Sequence, residues 1–188
     1  SRVGFYNFSA LGKNAGANRV VGGFTDGFSG KMVGRVHFFN NDESFAAYNG
    51  GVSFFSTRVK TSPEEKKNVE IPGTIRMISY NSQYLVLLTD NTKEKEEENY
   101  RLLLFRKNGE KLFDKALSFI GNKMEISGDK ILLYQEKNYK VYDFSGRLRY
   151  NGETKEGLLY LRSVTDFKMN GTELMLCFPN KVERVTLQ

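Results

Sequence analysis

The stretch KMEISGDKILLYQEKNYKVYDFSGRLRY, residues 123–150, decides the fold. It holds four short apolar runs, each closed by a turn signal, and none has the length of a typical helix. Serine–glycine pairs at 127–128 and 145–146 supply the positive φ that tight hairpins need. The stretch therefore predicts four consecutive strands, in the order strand, turn, strand, loop, strand, turn, strand.

The same pattern recurs along the chain with a period of about forty residues. Apolar strand, polar turn and apolar strand follow one another in FFNNDESFAAYNG (38–50), ISYNSQYLVLLTDN (78–91), EISGDKILLYQE (125–136) and FKMNGTELMLCFPN (167–180). One interval is longer because TDNTKEKEEEN (89–99) is a hydrophilic insertion between two strands. Insertions at hairpin tips lengthen a repeat without disturbing its core.

Several short strands per repeat at this period are typical of propellers. We predict an all-β fold, a β-propeller-like array of about four antiparallel four-stranded blades. The alternative is a β-sandwich, whose short strands also recur at regular spacing. The predicted blades cover approximately residues 34–72, 73–118, 119–157 and 158–188.

The two ends of the predicted array are irregular. The last unit has only three strand-like runs, and residues 1–33 form a glycine-rich segment that is interpreted as an outer strand or a degenerate blade. An array of sheets must close on itself or cap its ends. Three arrangements remain open: a closed four-bladed ring, a homodimer that makes a larger ring, or the C-terminal part of a longer propeller.

Composition narrows the function classes. The net charge of the 188-residue chain is +6, but most cations stand beside anions, which indicates a mixed-charge surface. Basic and aromatic residues alternate in GRLRY (146–150) as in any amphipathic strand, so no nucleic-acid binding is predicted. Cys177 is the only cysteine, which excludes an intrachain disulfide, and we expect it to be a small buried hydrophobe.

No enzyme, metal or cofactor signature is found. His37 is the only histidine, which is too few for a usual zinc site, and nothing marks a nucleophile that it would activate. The chain contains neither phosphate-binding glycine motif, and the acidic run 90–98 lacks EF-hand spacing. Paired carboxylates of a glycosidase would have to come from residues that mostly sit at predicted turns: Asp26, Asp42, Asp129, Asp143 and Asp166.

Residues 34–188, and ISGDKILLYQEKNYKVYDFSGRL (126–148) above all, resemble a known family. The recurring Ile-Ser and Tyr-Asp-x-x-Gly elements and the ending KVERVTLQ are similar to a domain-of-unknown-function family of clostridia and related Firmicutes. The resemblance implies a membrane-anchored protein in which one transmembrane helix precedes an extracytoplasmic, propeller-like domain. It implies no catalytic residues, and a role in binding or scaffolding on the extracytoplasmic side of the cell membrane. No membrane-spanning stretch is visible in the 188 residues.

The first strand of each blade would line the axis of a propeller. One cation lies on each predicted first strand: Arg35, Arg76, Lys123 and Lys168. These residues are the predicted binding site, and an anionic envelope polymer or an acidic protein segment is the predicted partner. The alternatives are a carbohydrate-active enzyme, or an oligomerising structural part of a larger propeller.

Overall fold

The computed structural model describes residues 2–6, 20–24, 26–59, 62–91, 99–135, 138–153 and 166–187. Parts of the N-terminal segment (7–19) and of the acidic insertion (92–98) therefore lie outside the described residues. In the described ranges the chain forms seventeen strands and a single-turn 3₁₀ helix at Asp26–Phe28. The strands are β1 (Val3–Tyr6), β2 (Val20–Phe24), β3 (Val33–Phe38), β4 (Glu43–Tyr48), β5 (Gly51–Ser56), β6 (Glu64–Glu70), β7 (Thr74–Tyr80), β8 (Tyr84–Asp90), β9 (Tyr100–Arg106), β10 (Lys111–Leu117), β11 (Lys123–Ser127), β12 (Lys130–Gln135), β13 (Asn138–Asp143), β14 (Leu148–Glu153), β15 (Asp166–Asn170), β16 (Glu173–Phe178) and β17 (Lys181–Thr186).

The strands form four sheets and one hairpin, all with antiparallel pairing. Sheet 1 contains β3–β6, sheet 2 contains β7–β10, sheet 3 contains β11–β14, and sheet 4 contains β15–β17. Within each sheet the strands lie side by side in chain order, and β1 pairs with β2 as a separate N-terminal hairpin. The predicted all-β fold of antiparallel four-stranded units is confirmed, with a last unit of three strands among the described residues.

Apolar side chains on both faces of the middle strands stack the sheets into a row. Strand β8 reads YLVLLTD, and every residue from Leu85 to Asp90 is buried. Leu85 and Leu87 pack against sheet 1, whereas Val86 and Leu88 pack against sheet 3. A strand buried on both faces reads as a continuous apolar run, because alternate side chains point to opposite faces. Sheet 2 is therefore held between two neighbours.

The same packing continues toward both ends. Leu132 and Tyr134 of sheet 3 pack against Leu174 and Leu176 of sheet 4. At the other end, Phe5 of the hairpin packs with other side chains against sheet 1, in a cluster made of Val3, Phe5, Phe28, Ala46, Tyr48 and Phe55. Within the described residues, no core cluster joins sheet 4 to the hairpin or to sheet 1. The order is hairpin, sheet 1, sheet 2, sheet 3, sheet 4, and the row is open.

Two glycine turns pack each sheet onto the one before it. Gly109 precedes β10 with φ 84°, and a Cβ built on it would lie 2.9 Å from the Phe54 ring of sheet 1. Gly146 precedes β14 with φ 79°, and its Cβ would lie 3.2 Å from the Phe113 ring of sheet 2. Glycine is needed at these positions for its backbone conformation and for the close approach to the neighbouring sheet.

Alanine substitutions at the turn glycines test this packing. Gly109→Ala and Gly146→Ala each lower the free energy of unfolding by about 2 to 4 kcal/mol, because strain at positive φ adds to overpacking. Gly128 is the matched control, because its φ is 58° and a Cβ there meets nothing within 4 Å. We expect Gly128→Ala to cost only about 1 kcal/mol. Urea unfolding measures the three values, and equal losses would contradict the packing role.

Serine hydroxyls link the first strands of neighbouring sheets. The Ser79 hydroxyl of β7 accepts a hydrogen bond from the backbone N–H of Ile126 in β11 at 3.2 Å. The Ser127 hydroxyl of β11 donates to the backbone carbonyl of Met169 in β15 at 2.7 Å. The recurring Ile-Ser element thus has a structural meaning, since each of these serines fastens its sheet to the next.

Removing either serine hydroxyl weakens one junction. Ser79→Ala and Ser127→Ala each lower the free energy of unfolding by about 1 kcal/mol, the usual net value of one hydrogen bond. Ser62 is the control, because it is exposed and only its backbone N–H has a recorded hydrogen bond. Ser62→Ala changes stability by less than about 0.5 kcal/mol. A loss in the control as large as in the two junction variants would refute the assignment.

Candidate binding surface along the first strands

The first strands of the four sheets lie next to one another in chain order. Strand β11 lies beside both β7 and β15. The His37 ring of β3 lies on the Tyr80 ring of β7, with 3.9 Å between ring centroids. We call the surface formed by β3, β7, β11 and β15 the axial surface, because first strands in this arrangement line the axis of a propeller. All four predicted binding residues lie on it.

Arg76 is the axial cation with the most defined contacts. It lies where the pairing register of β7 with β8 shifts, between Ile75 and Met77. Its Nε and Nη2 donate to Asp90 Oδ2 at 2.8 and 2.6 Å. The Asp90 carboxylate is almost fully buried, whereas the Arg76 side chain is half exposed. The ion pair therefore satisfies a buried carboxylate at the end of β8 and leaves part of the guanidinium open to solvent.

The other three predicted cations differ in setting. Arg35 and Lys168 are exposed, and neither forms an ion pair with a carboxylate in the described part of the chain. Lys123 is partly buried, lies opposite Tyr134, and has an interaction partner. Arg35 shares the face of sheet 1 that meets sheet 2, whereas Lys168 lies on the face of sheet 4 that points away from sheet 3. The structure places the four cations along one wall rather than in one cluster.

His37 is part of the junction between sheets 1 and 2. Besides Tyr80, its ring lies 6.0 Å from the Phe45 ring. Burial lowers the pKa of His37 below its ordinary value of 6.5, and the nearby Arg35 lowers it further. The neutral ring is therefore favoured in the folded protein, in keeping with a packing role. The described residues hold no group of three or more histidine, cysteine or carboxylate side chains that fits a metal ion.

The lowered pKa of His37 makes stability depend on pH. The unfolded chain takes up its proton near pH 6.5 and the folded chain only at lower pH, so the unfolded state binds more protons between the two pKa values. The free energy of unfolding therefore falls as the pH drops through this window. His37→Phe keeps an aromatic ring on Tyr80 and removes the titration.

Denaturant unfolding from about pH 8 to about pH 5 measures this dependence in both proteins. The variant should show a flatter curve than the wild type across the window below pH 6.5. Parallel curves, or a wild type that gains stability as the pH drops, would exclude His37 as the cause.

The candidate carboxylates of a glycosidase have structural positions where the structure describes them. Asp143 accepts hydrogen bonds from the Ser145 hydroxyl and from Arg149 Nε, both at 2.6 Å, and from the Arg147 backbone N–H at 3.0 Å. Burial alone would raise the pKa of Asp143, but these hydrogen bonds outweigh it and hold that pKa well below its usual range.

Asp129 is held in a similar way. The Lys130 ammonium lowers the pKa of Asp129 through a hydrogen bond at 2.7 Å. A general acid needs a raised pKa, which is the opposite of what Asp129 and Asp143 have. Asp42 lies in the turn before β4 and donates its backbone N–H to Asn40 Oδ1. The side chains of Asp26 and Asp166 lie outside the described part of the structure.

A cavity of about 420 Å³ between sheets 1 and 2 was not predicted from the sequence. Lys107 Nζ and Glu43 Oε2 form an ion pair across it at 2.9 Å, and Arg58 lies on its wall. Burial alone would raise the pKa of Glu43, but the hydrogen bonds from Lys107 and Asn40 outweigh it and lower that pKa. Glu43 and Lys107 are far apart in sequence, so only the stacking of the two sheets brings them together.

Cys177 differs from the expectation. It is reduced and only partly buried, on the face of sheet 4 that points away from sheet 3. The apolar run around it suggests a core position, but its face has no neighbouring sheet within the described residues. In those residues there is also no helix long and apolar enough to cross a membrane.

Comparison with solved structures shows the fold. The chain is similar to residues 644–1017 of HIRA, with 9% identity, a TM-score of 0.54, and coverage of 81% of this chain and 50% of that chain. It is also similar to Sqt1 of Saccharomyces cerevisiae, with 11% identity, a TM-score of 0.57, and coverage of 90% and 50%. Both are β-propeller proteins, so the propeller prediction is confirmed and the β-sandwich alternative is wrong. The chain spans about half the length of these structures.

The comparisons by sequence give a family without an assigned activity. No curated protein matches the chain. A family model described as a family of unknown function, DUF5711, matches residues 1–187. A match over nearly the whole chain shows membership, so this β-propeller-like chain belongs to the DUF5711 family.

Proposed function

We propose that the chain is a non-catalytic binding module whose axial surface recognises an anionic polymer of the cell envelope. The observation that carries the proposal is the side-by-side placement of the first strands, which sets Arg35, Arg76 and Lys168 along one exposed wall. Arg35 and Lys168 have no carboxylate partner in the described ranges, so their charges remain available to a ligand. The net charge of +6 favours approach of a polyanion.

Two further arguments support binding rather than catalysis. Propellers commonly present binding surfaces near their axis, and the fold of this chain is a propeller fold. Asp129 and Asp143 cap turns with lowered pKa values, so neither is prepared to donate a proton to a glycosidic oxygen. Function on the extracytoplasmic side of a membrane, with an anchor, is part of the proposal and rests on the sequence resemblance described above.

Neutralising the axial cations tests the proposal. We expect the combined variant Arg35→Gln, Arg76→Gln, Lys123→Gln and Lys168→Gln to lose at least about tenfold in affinity for a soluble anionic wall polymer, since each exposed charge contributes a fraction of a kcal/mol. Titration calorimetry with purified teichoic acid measures the affinity. Binding should also weaken as the salt concentration rises.

A matched variant separates the site from the overall charge. Four exposed cations away from the first strands provide the same change in charge: Arg58, Lys66, Lys111 and Arg147. Their combined change to glutamine should leave most of the affinity. Equal losses in the two variants would show that net charge, not the axial surface, governs binding. Undiminished affinity in the axial variant would refute the proposal, and an acidic peptide in place of the polymer tests the protein-segment alternative.

A further inference from the structure

The two ends of the row of sheets expose apolar side chains on sheet faces. At the hairpin end, Val36 and Phe38 of β3 are each 49% exposed on the face that carries the hairpin, and Tyr6 is 57% exposed on the hairpin itself. At the sheet 4 end, Val182 is 57% exposed and lies beside Cys177. We call these surfaces the leading end and the trailing end of the row.

Inside the row, faces of the same kind are covered. Ala46 and Phe55, on the leading face of sheet 1, are buried where the hairpin covers them, whereas Val36 and Phe38 extend beyond it. Leu174 and Leu176 are completely buried against sheet 3, whereas Met175 and Cys177 on the opposite face of β16 stay partly exposed. Exposed apolar patches of this kind mark interaction surfaces.

The trailing end is open at its edge as well. Each of sheets 1 to 3 has a fourth strand paired with its third, whereas β17 is an edge strand of sheet 4 in the described part of the chain. Edge strands with unpaired N–H and C=O groups tend to associate with other chains unless something shields them. Sheet 4 thus lacks a cover on one face and a partner on one edge.

The extent of the row indicates what covers its ends. Of this chain, 90% superposes on Sqt1 but accounts for only 50% of that β-propeller, and the match to HIRA also covers 50% of that protein. The described sheets therefore have the extent of half of such a propeller. Two such halves are enough to fill a ring.

We propose that the leading end of one copy docks on the trailing end of a second copy, so that two chains close one propeller-like ring. A contact between two different surfaces either closes a ring or propagates into a fibre, depending on the rotation between subunits. A row that spans half a ring requires a rotation of half a turn, which closes with two copies and two identical contacts. Each contact would cover Val36 and Phe38 of one chain and Val182 of the other.

Light scattering over a dilution series from about 1 µM to about 1 mM, where interfaces of moderate affinity form, tests the proposal. We expect twice the 21.5 kDa chain mass at high concentration, with dissociation on dilution. Val36→Lys and Val182→Lys alter opposite ends, and each should raise the dimer dissociation constant at least about a hundredfold, because a charge would be buried in an apolar contact. Circular dichroism confirms that the variants are folded.

Val59→Lys is the matched control, because Val59 is as exposed as Val182, at 56%, but lies in the loop after β5 and at neither end. It should dimerise like the wild type. The alkylation rate of Cys177 gives a second readout and should fall as the wild-type chain dimerises.

Each contrary result overturns the proposal. A wild-type chain that keeps its monomer mass at every concentration excludes a second copy as the cover. A dimer that survives both end variants, or that the control disrupts equally, places the contact elsewhere. These outcomes do not depend on polymer binding, since none of the substituted residues belongs to the axial cations.

Discussion

Burial of both faces of each sheet is the constraint on which the structure depends. Strands β8 and β9 are apolar on both sides, so sheet 2 has no face that water can solvate cheaply. A sheet of this kind must have neighbours on both sides, and those neighbours then have second faces of their own to cover. Repetition follows from this requirement, and it stops only where a face meets a cap or another molecule.

Local devices set the distance and order of the stacked sheets. Glycine turns let the loop of one sheet approach an aromatic ring of the sheet before it, as Gly109 does with Phe54. Serine hydroxyls join the first strands, which would otherwise have only side-chain packing between them. These contacts keep the first strands together, and that placement produces both the axial surface with its cations and the two exposed ends. Fold and proposed binding thus have a common origin.

The sequence predicts the parts that depend on neighbouring residues in the chain. The Ser-Gly turns and apolar runs of 123–150 correctly predict β11 to β14 because hairpin pairing is local. Contacts between sheets were beyond it, including the Arg76–Asp90 ion pair and the His37–Tyr80 stack. Cys177 shows the limit most clearly. Its apolar surroundings indicate a core, but whether its face is covered depends on a neighbouring sheet that no local pattern reveals.

Native-state hydrogen exchange, resolved by strand, tests the central claim of a two-sided row most directly. The account predicts the slowest exchange in β8 and β9, which have packed clusters on both faces, and faster exchange in β6 and β14, where most side chains are exposed or half-buried. At concentrations where the chain is monomeric, β17 should also exchange fast because its outer edge is unpaired. Equal protection of all strands, or the slowest exchange in β17, would contradict the account.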